Sequence, residues 1–413
     1  MHKALFKGFI LCALTFAEAD VKAEELTRHR FSEAPHNYWT REPRDAFSKL
    51  AARIQNGELQ LEGTNDKARL VGLLKELDIP LSSQLLVYSA TSFQSGLIHP
   101  SNPRALYFNE EVYVGYVPGG RFEVAAIDPE MGPVFRIFRP TFDGRSEITR
   151  SERCMNCHAG RTSWQVPGLI SESVIASSSG GTLDGFRREQ VGHTIPLSDR
   201  LGGWHVTGAH EHGDHLGNLM GDAALGGYKR LPDPPGSLFE WEHYPARTSD
   251  LLPHLIHEHQ LGFHNLVTLA VYRTRDALLA GNGILRPEDH SILDDIALRL
   301  VRYLLFANEA ILPAGGITPD PTYLSDFLSR SVPTKSGASL RDPDLKTRLF
   351  KNRCSYMIYT PGFAALPQLI KEQVFAKLES ALSESDALPG FDYLSLEEKR
   401  AIRTILRETK VLP

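Results

Sequence analysis

Apolar residues recur every three to four positions in several segments of the chain, which is the spacing that places them on one face of a helix. The first such segment follows Pro43 and stops at Gly57, two residue types that are typical of helix starts and helix ends. The segments with this spacing are predicted to form helices over 43–57, 66–77, 251–279, 287–311, 365–384 and 395–409. A polar connection is expected over 313–345.

Between the second and third of these helices, the pattern changes to short runs rich in Val, Tyr and Phe, separated by Pro, Gly and Asn. These runs predict strands over 84–89, 105–108, 111–117, 122–127 and 134–138. Asn109-Glu110 and Pro118-Gly119-Gly120 have the composition of the connecting turns. The pattern therefore predicts a small mixed α/β domain that ends near residue 144.

The first nineteen residues have the three parts of a secretory signal. Lys3 and Lys7 are followed by an apolar stretch from Gly8 to Ala17, and cleavage is expected after Ala19. The stretch is too short to cross a bilayer, which takes roughly 20 apolar residues. We therefore expect an extracytoplasmic, periplasmic protein without an integral membrane segment after cleavage. The alternative is that this segment forms an amphipathic first helix of the mature fold.

These segments together predict an α+β protein. A signal peptide over 1–19 precedes an N-terminal α+β domain over 20–144. The central region over 145–245 is rich in Gly, His and Pro and poor in helical periodicity, which is typical of long ordered loops that wrap a ligand. A mainly helical C-terminal region is expected over 246–413.

Composition narrows the class of protein. The 413 residues are 42% hydrophobic and 23% charged, which excludes collagen-like, coiled-coil and largely disordered chains. The net charge of −5 gives no overall basic field, so nucleic acid is not an expected partner. Cleavage of the signal would leave three cysteines, Cys154, Cys157 and Cys354. An odd number is explained if a cofactor consumes two and Cys354 is a buried thiol.

The chemistry is concentrated in Cys154-Met155-Asn156-Cys157-His158, a C-x-x-C-H motif of the kind that attaches c-type haem. On a helical turn, residues three and four apart share a face, so both thiols can reach the vinyl groups of one porphyrin while His158 binds the iron as proximal ligand. A thioredoxin-like pair would need a βαβ pattern, and a zinc site would need further ligands at set spacing. The single motif predicts one covalent haem c, and the central region is therefore expected to be cytochrome c-like.

The second axial position of the iron decides what such a protein can do. A Met ligand raises the reduction potential, a second His holds it lower, and an open position allows ligand binding or peroxide chemistry. The candidates are Met220, in a Gly-flanked segment, and His210 and His215, in a Gly-flanked loop that could alternatively hold a separate divalent metal. His264 is a further candidate as distal ligand or pocket donor, although buried hydrogen-bonded histidines are the simpler interpretation of its helix.

The sequence resembles a family of large, exported, monohaem bacterial proteins that carry a cytochrome c-type motif and have no characterised activity. The resemblance runs through residues 104–117, 153–160, 202–218, 258–265 and 347–359. It departs from the family pattern at His205, where Tyr is more usual. The resemblance implies haem and export and favours His210, His215 and His264 as pocket residues, without implying a reaction.

The resulting hypothesis is an exported monohaem c-type cytochrome that acts in electron transfer with a redox partner protein. Two alternatives stay open. One is a haem-dependent, peroxidase-like oxidoreductase with an open distal position and a histidine as acid or base. The other is a haem-based redox or gas sensor. Enzymatic activity is therefore not decided by the sequence.

Overall fold

The computed structural model describes residues 30–139, 147–187, 192–208, 215–222, 226–231, 236–386 and 388–412. The fold is mixed α/β and contains two sheets. The predicted signal peptide and the candidate His210 lie outside the described residues. Among the described residues, every helix is too short or too polar to cross a membrane.

A seven-stranded antiparallel sheet forms the N-terminal half of the fold, in the strand order β6-β5-β4-β3-β2-β1-β9. Its strands are β1 (Leu85–Val87), β2 (Arg104–Phe108), β3 (Val112–Tyr116), β4 (Phe122–Asp128), β5 (Gly132–Phe138), β6 (Thr149–Arg150) and β9 (Trp204–His205). The five predicted strands are confirmed to within two residues at each end. Because β6 and β9 come from beyond residue 144, the sheet extends past the expected domain boundary.

The two faces of this sheet pack against different helices. Alternate residues of a strand point to opposite faces, so Tyr107 faces α1 (Ala46–Gln55) and α2 (Asp66–Glu76), whereas Phe108 faces the main core. In that main core, the Phe108 face of the seven-stranded sheet packs against the long helix α4 (Leu251–Ala280) and the C-terminal helices. The N-terminal sheet and the C-terminal helices therefore share one core.

A second, four-stranded sheet lies in the central region, in the order β11-β10-β7-β8. Its strands are β7 (Ser173–Ala176), β8 (Thr182–Arg187), β10 (Leu219–Asp222) and β11 (Gly227–Arg230). β7 and β10 are parallel, and the other pairs are antiparallel. The sequence pattern predicted only loops here, because these strands are short and pair across long stretches of chain.

The remaining helices are α3 (Met155–His158), α5 (Pro287–Leu304), α6 (Pro321–Ser329), α7 (Pro361–Ala364), α8 (Gln368–Ala381) and α9 (Leu396–Glu408). Two expectations are corrected. The helix predicted over 287–311 ends at Leu304, because Phe306 adopts a left-handed conformation with φ of 55°. The polar connection over 313–345 contains α6, which is short and fully buries only Tyr323 and Phe327.

Helix α4 positions much of the site. It begins at Asp250, whose side chain accepts a hydrogen bond from the backbone N–H of Leu252, a typical N-cap. Residues on all sides of the helix are buried along most of its 30 residues. A helix buried all round shows no amphipathic stripe, so its sequence does not indicate which side faces which neighbour.

Glu309, in the turn after α5, makes stability depend on pH. Burial raises the pKa of this carboxyl to about 7 from 4.5, although its hydrogen bond from the Leu349 N–H opposes the shift. Because the folded-state pKa is raised, the stabilisation by the protonated carboxyl is complete below about pH 4.5 and is lost as the pH rises through about 7. We expect Glu309→Gln to gain on the order of 2 kcal/mol over the wild type between about pH 5 and pH 8. Urea unfolding across that range checks this, with the exposed Glu58→Gln as control; parallel pH profiles for Glu309→Gln and wild type would contradict it.

Candidate functional site

The motif begins on a tight turn, Glu152–Cys154, that continues directly into α3. This local geometry places Cys154, Cys157 and His158 on the wall of one cavity, as the spacing of the motif predicts. All three described cysteines, Cys354 included, are free thiols. Cys154 is buried, Cys157 is exposed, and Cys354 is completely buried elsewhere in the core, which confirms it as a buried thiol.

The cavity has a volume of about 360 Å³ and lies between the seven-stranded sheet, α3 and α4. This size is within the range of about 300–1,000 Å³ that cofactor and small-molecule pockets occupy. Most of its wall is apolar or aromatic, with Leu106, Phe135, Leu169, Trp204 and Leu261 from five different parts of the chain. Such a wall suits a largely apolar ligand.

His158 has the hydrogen bonding of a histidine prepared for a metal. Its Nδ1 donates to the backbone carbonyl of Gly168 at 2.9 Å, and its ring packs on Phe135 with ring centroids 4.2 Å apart. Burial lowers the pKa of the His158 imidazole to about 4, so the ring is neutral at physiological pH. A neutral ring whose Nδ1 proton is donated carries its free lone pair on Nε2, the atom available to a metal.

A side-chain clamp fixes the carbonyl that holds His158. Asn265 of α4 accepts from the Leu169 N–H at 2.7 Å and donates to the Leu169 carbonyl at 2.8 Å. The preceding residue must be glycine, because a Cβ on Gly168 would lie 2.3 Å from the Cβ of Ser163. Asn265 therefore positions His158 through the loop between them.

The cavity wall also contains a cation that the sequence analysis did not identify. Arg104 of β2 lies 3.2 Å from the carboxylate of Glu123, and its Nε is buried with no hydrogen-bond partner among the described residues. Gly115 makes room for it, since a Cβ there would lie 3.0 Å from that Nε. Arg104 therefore brings a positive charge to the cavity wall, where it favours an anionic group. Its only sequence signal is a charged residue at the start of an apolar strand.

The other candidate ligands lie outside the cavity wall. Met220 packs in a small separate cluster with Tyr88, Ala176 and Leu231. His215 is buried, and its Nδ1 accepts from the Gly217 N–H at 3.0 Å. The structure thus brings together the three motif residues but neither Met220 nor His215 with them.

His264 is also directed elsewhere. Its Nε2 donates to the carbonyl of Glu110 at 2.8 Å, in the turn between β2 and β3. The histidine of α4 that does line the cavity is His257. In β9, Trp204 faces the cavity, whereas His205 packs on Tyr88 with ring centroids 4.7 Å apart.

Within the part of the chain that the structure describes, no three His, Cys, Asp or Glu side chains gather into a group that could hold a metal ion. The loop in which a separate divalent site was an alternative lies largely outside that part. The geometry thus defines one class of site, a cofactor-sized apolar cavity with two thiols and a neutral imidazole on its wall. No protein family, curated protein or solved structure matches the chain.

Proposed function

We propose that this protein is an exported monohaem c-type cytochrome that transfers electrons to or from a redox partner protein. One observation carries the proposal: both thiols of the C-x-x-C-H motif share a cavity with an imidazole whose Nδ1 is already donated to a carbonyl. That is the arrangement that covalent haem attachment and iron ligation need. The cytochrome c-like part would be the central region, with further walls from the sheet and α4.

Each cavity group has a role in this proposal. Cys154 and Cys157 would hold the porphyrin through thioether bonds, and His158 would bind the iron through Nε2. Arg104 is placed to pair with a carboxylate of the cofactor by charge-assisted hydrogen bonds. When bound, haem iron supplies one-electron oxidation and reduction.

The burial of the two thiols differs, and this bears on electron transfer. Cys154 is buried, whereas Cys157 is exposed. The cofactor edge attached to Cys157 would therefore lie nearer to solvent than the edge attached to Cys154. A partner protein could exchange electrons across that edge without the cavity opening.

The decisive experiment is production in a bacterial periplasm with a c-type haem maturation system, followed by denaturation and extraction with acidic butanone. The wild-type chain is expected to keep its haem through extraction. The double variant Cys154→Ala/Cys157→Ala is expected to lose all covalently retained haem, because both thioether bonds are gone. Haem staining of a denaturing gel measures the outcome.

Cys354→Ala is the matched control, because its thiol is completely buried and lies outside the cavity wall. This variant is expected to retain haem like the wild type. The exported wild-type protein should also begin at Asp20 on N-terminal sequencing. Complete extraction of haem from the wild-type chain would rule out the proposed function.

A further inference from the structure

Helix α4 carries four buried histidines whose rings have different partners. They are His254, His257, His259 and His264. Buried imidazoles normally satisfy their nitrogens by hydrogen bonds, so a ring without such bonds requires an explanation.

Three of these rings are held by the protein itself. The Nε2 of His254 lies 3.2 Å from the hydroxyl of Ser249. Both ring nitrogens of His259 have hydrogen-bond partners, a histidine ring at 2.8 Å and a serine hydroxyl at 2.7 Å. His264 donates to the carbonyl of Glu110. These three rings therefore have structural roles.

His257 is different. It is 5% exposed and lines the cavity, and no described residue forms a hydrogen bond with its ring. The ring nitrogens of His257 are not fully enclosed by protein atoms, so they are accessible from the cavity. A ligand in the cavity could supply the partner that the described residues do not provide.

The orientation of this ring is fixed by aromatic neighbours. Phe108 and Tyr113 contact it nearly edge to face, with ring centroids 5.2 Å and 5.7 Å away, and Trp204 lies at 6.3 Å. Burial, reinforced by the positive charge of Arg104, lowers the pKa of His257 to about 3. The ring is therefore neutral at physiological pH and presents a lone pair to the cavity.

His257 lies on the same helix, α4, as the residue that supports the proximal histidine. Asn265, which clamps the loop that holds His158, lies eight residues later on the same helical face, about 12 Å along the axis. Leu261, midway between them, also lines the cavity. One helix face thus presents a free imidazole to the cavity at one level and supports the proximal histidine two turns away.

We infer that His257 is the second axial ligand of the haem iron, completing a bis-histidine site with His158. The inference rests on the proposed function, since it requires a haem held by Cys154 and Cys157. A second imidazole would keep the iron six-coordinate and its reduction potential below that of a His/Met cytochrome. The site would then serve electron transfer and exclude peroxide or gas chemistry at the iron.

The test is the spectrum of the haem-loaded protein. The wild type is expected to be low-spin in both ferric and ferrous states and to leave its ferrous spectrum unchanged on brief exposure to carbon monoxide. His257→Ala is expected to become high-spin in the ferric state and to bind carbon monoxide rapidly. Added imidazole should restore the low-spin spectrum of His257→Ala, because it can occupy the space left by the side chain.

His264→Gln is the matched control on the same helix, since an amide can replace the hydrogen bond to the Glu110 carbonyl. It is expected to stay low-spin. His257→Met is a second variant that fills the space and keeps a ligand atom, and it is expected to raise the reduction potential.

The outcomes separate the two proposals. A high-spin wild type, or a low-spin His257→Ala without added imidazole, would overturn the bis-histidine inference while covalent haem still stands. A high-spin, carbon monoxide-binding wild type would favour the open-site oxidoreductase or sensor instead. Absence of covalent haem would overturn the proposed function itself.

Discussion

Asp45→Ala is expected to lower the free energy of unfolding by about 3–5 kcal/mol, the cost of breaking a buried ion pair by removing one partner. The carboxylate of Asp45 is fully buried and receives both terminal nitrogens of Arg136, at 3.1 Å and 2.7 Å. It also caps α1 by accepting from the N–H groups of Phe47 and Ser48. Alanine would leave the Arg136 guanidinium, 6% exposed, without its counter-charge. Urea unfolding of the purified protein measures the loss.

Two further variants isolate the cause. Asp45→Ala/Arg136→Met removes both charges and is expected to recover most of the loss, because no unpaired charge stays buried. Glu76→Ala breaks an exposed ion pair, in which the Glu76 side chain is 37% exposed and that of Arg53 is 49% exposed. This variant is expected to change the free energy of unfolding by less than about 1 kcal/mol. A loss in Asp45→Ala no larger than in Glu76→Ala would contradict the buried-pair interpretation.

The N-terminal strands were predictable because their pattern is local. In β2 and β3, neighbouring residues face two different helical layers, so apolar Tyr and Phe side chains fill both faces of short runs bounded by turn residues. The second sheet lacks this signal. Its strands are at most six residues long, and β7 meets β10 through the parallel pair Ala176 and Met220, which are 44 positions apart. Such pairing depends on the whole chain.

In the candidate site, too, some residues were predictable from local sequence and others were not. Cys154, Cys157 and His158 follow from spacing within one turn, and the structure places all three on one cavity. His257 and His264 were equivalent in sequence, since residues seven apart share a helical face. What separates them is long-range: a carbonyl from the β2–β3 turn meets His264, whereas His257 meets the cavity. No local pattern carries that information.

The Asn265 clamp leads to the second large effect. Asn265→Ala would leave the buried N–H and carbonyl of Leu169 without their partners, which costs about 2–6 kcal/mol at roughly 1–3 kcal/mol for each lost bond. It would also release the loop whose Gly168 carbonyl accepts from His158. A weaker hydrogen bond at Nδ1 makes the imidazole a poorer electron donor, so we expect the reduction potential of the haem-loaded protein to rise. Unfolding and redox titration of the same preparation measure both effects.

Asn218 offers a matched control, because it clamps Val206 with the same pair of bonds, at 2.9 Å and 2.8 Å, and is equally buried. Asn218→Ala is expected to cost at least as much stability, since alanine must also adopt the left-handed conformation found there, with φ of 61°. It should leave the potential unchanged, because the hydrogen bonds of the Asn218 side chain go to Val206 and not to the loop that holds His158. A shift in potential shared by both variants would mean that general loosening of the fold causes it. A shift confined to Asn265→Ala would identify Asn265 as the residue that positions the proximal histidine.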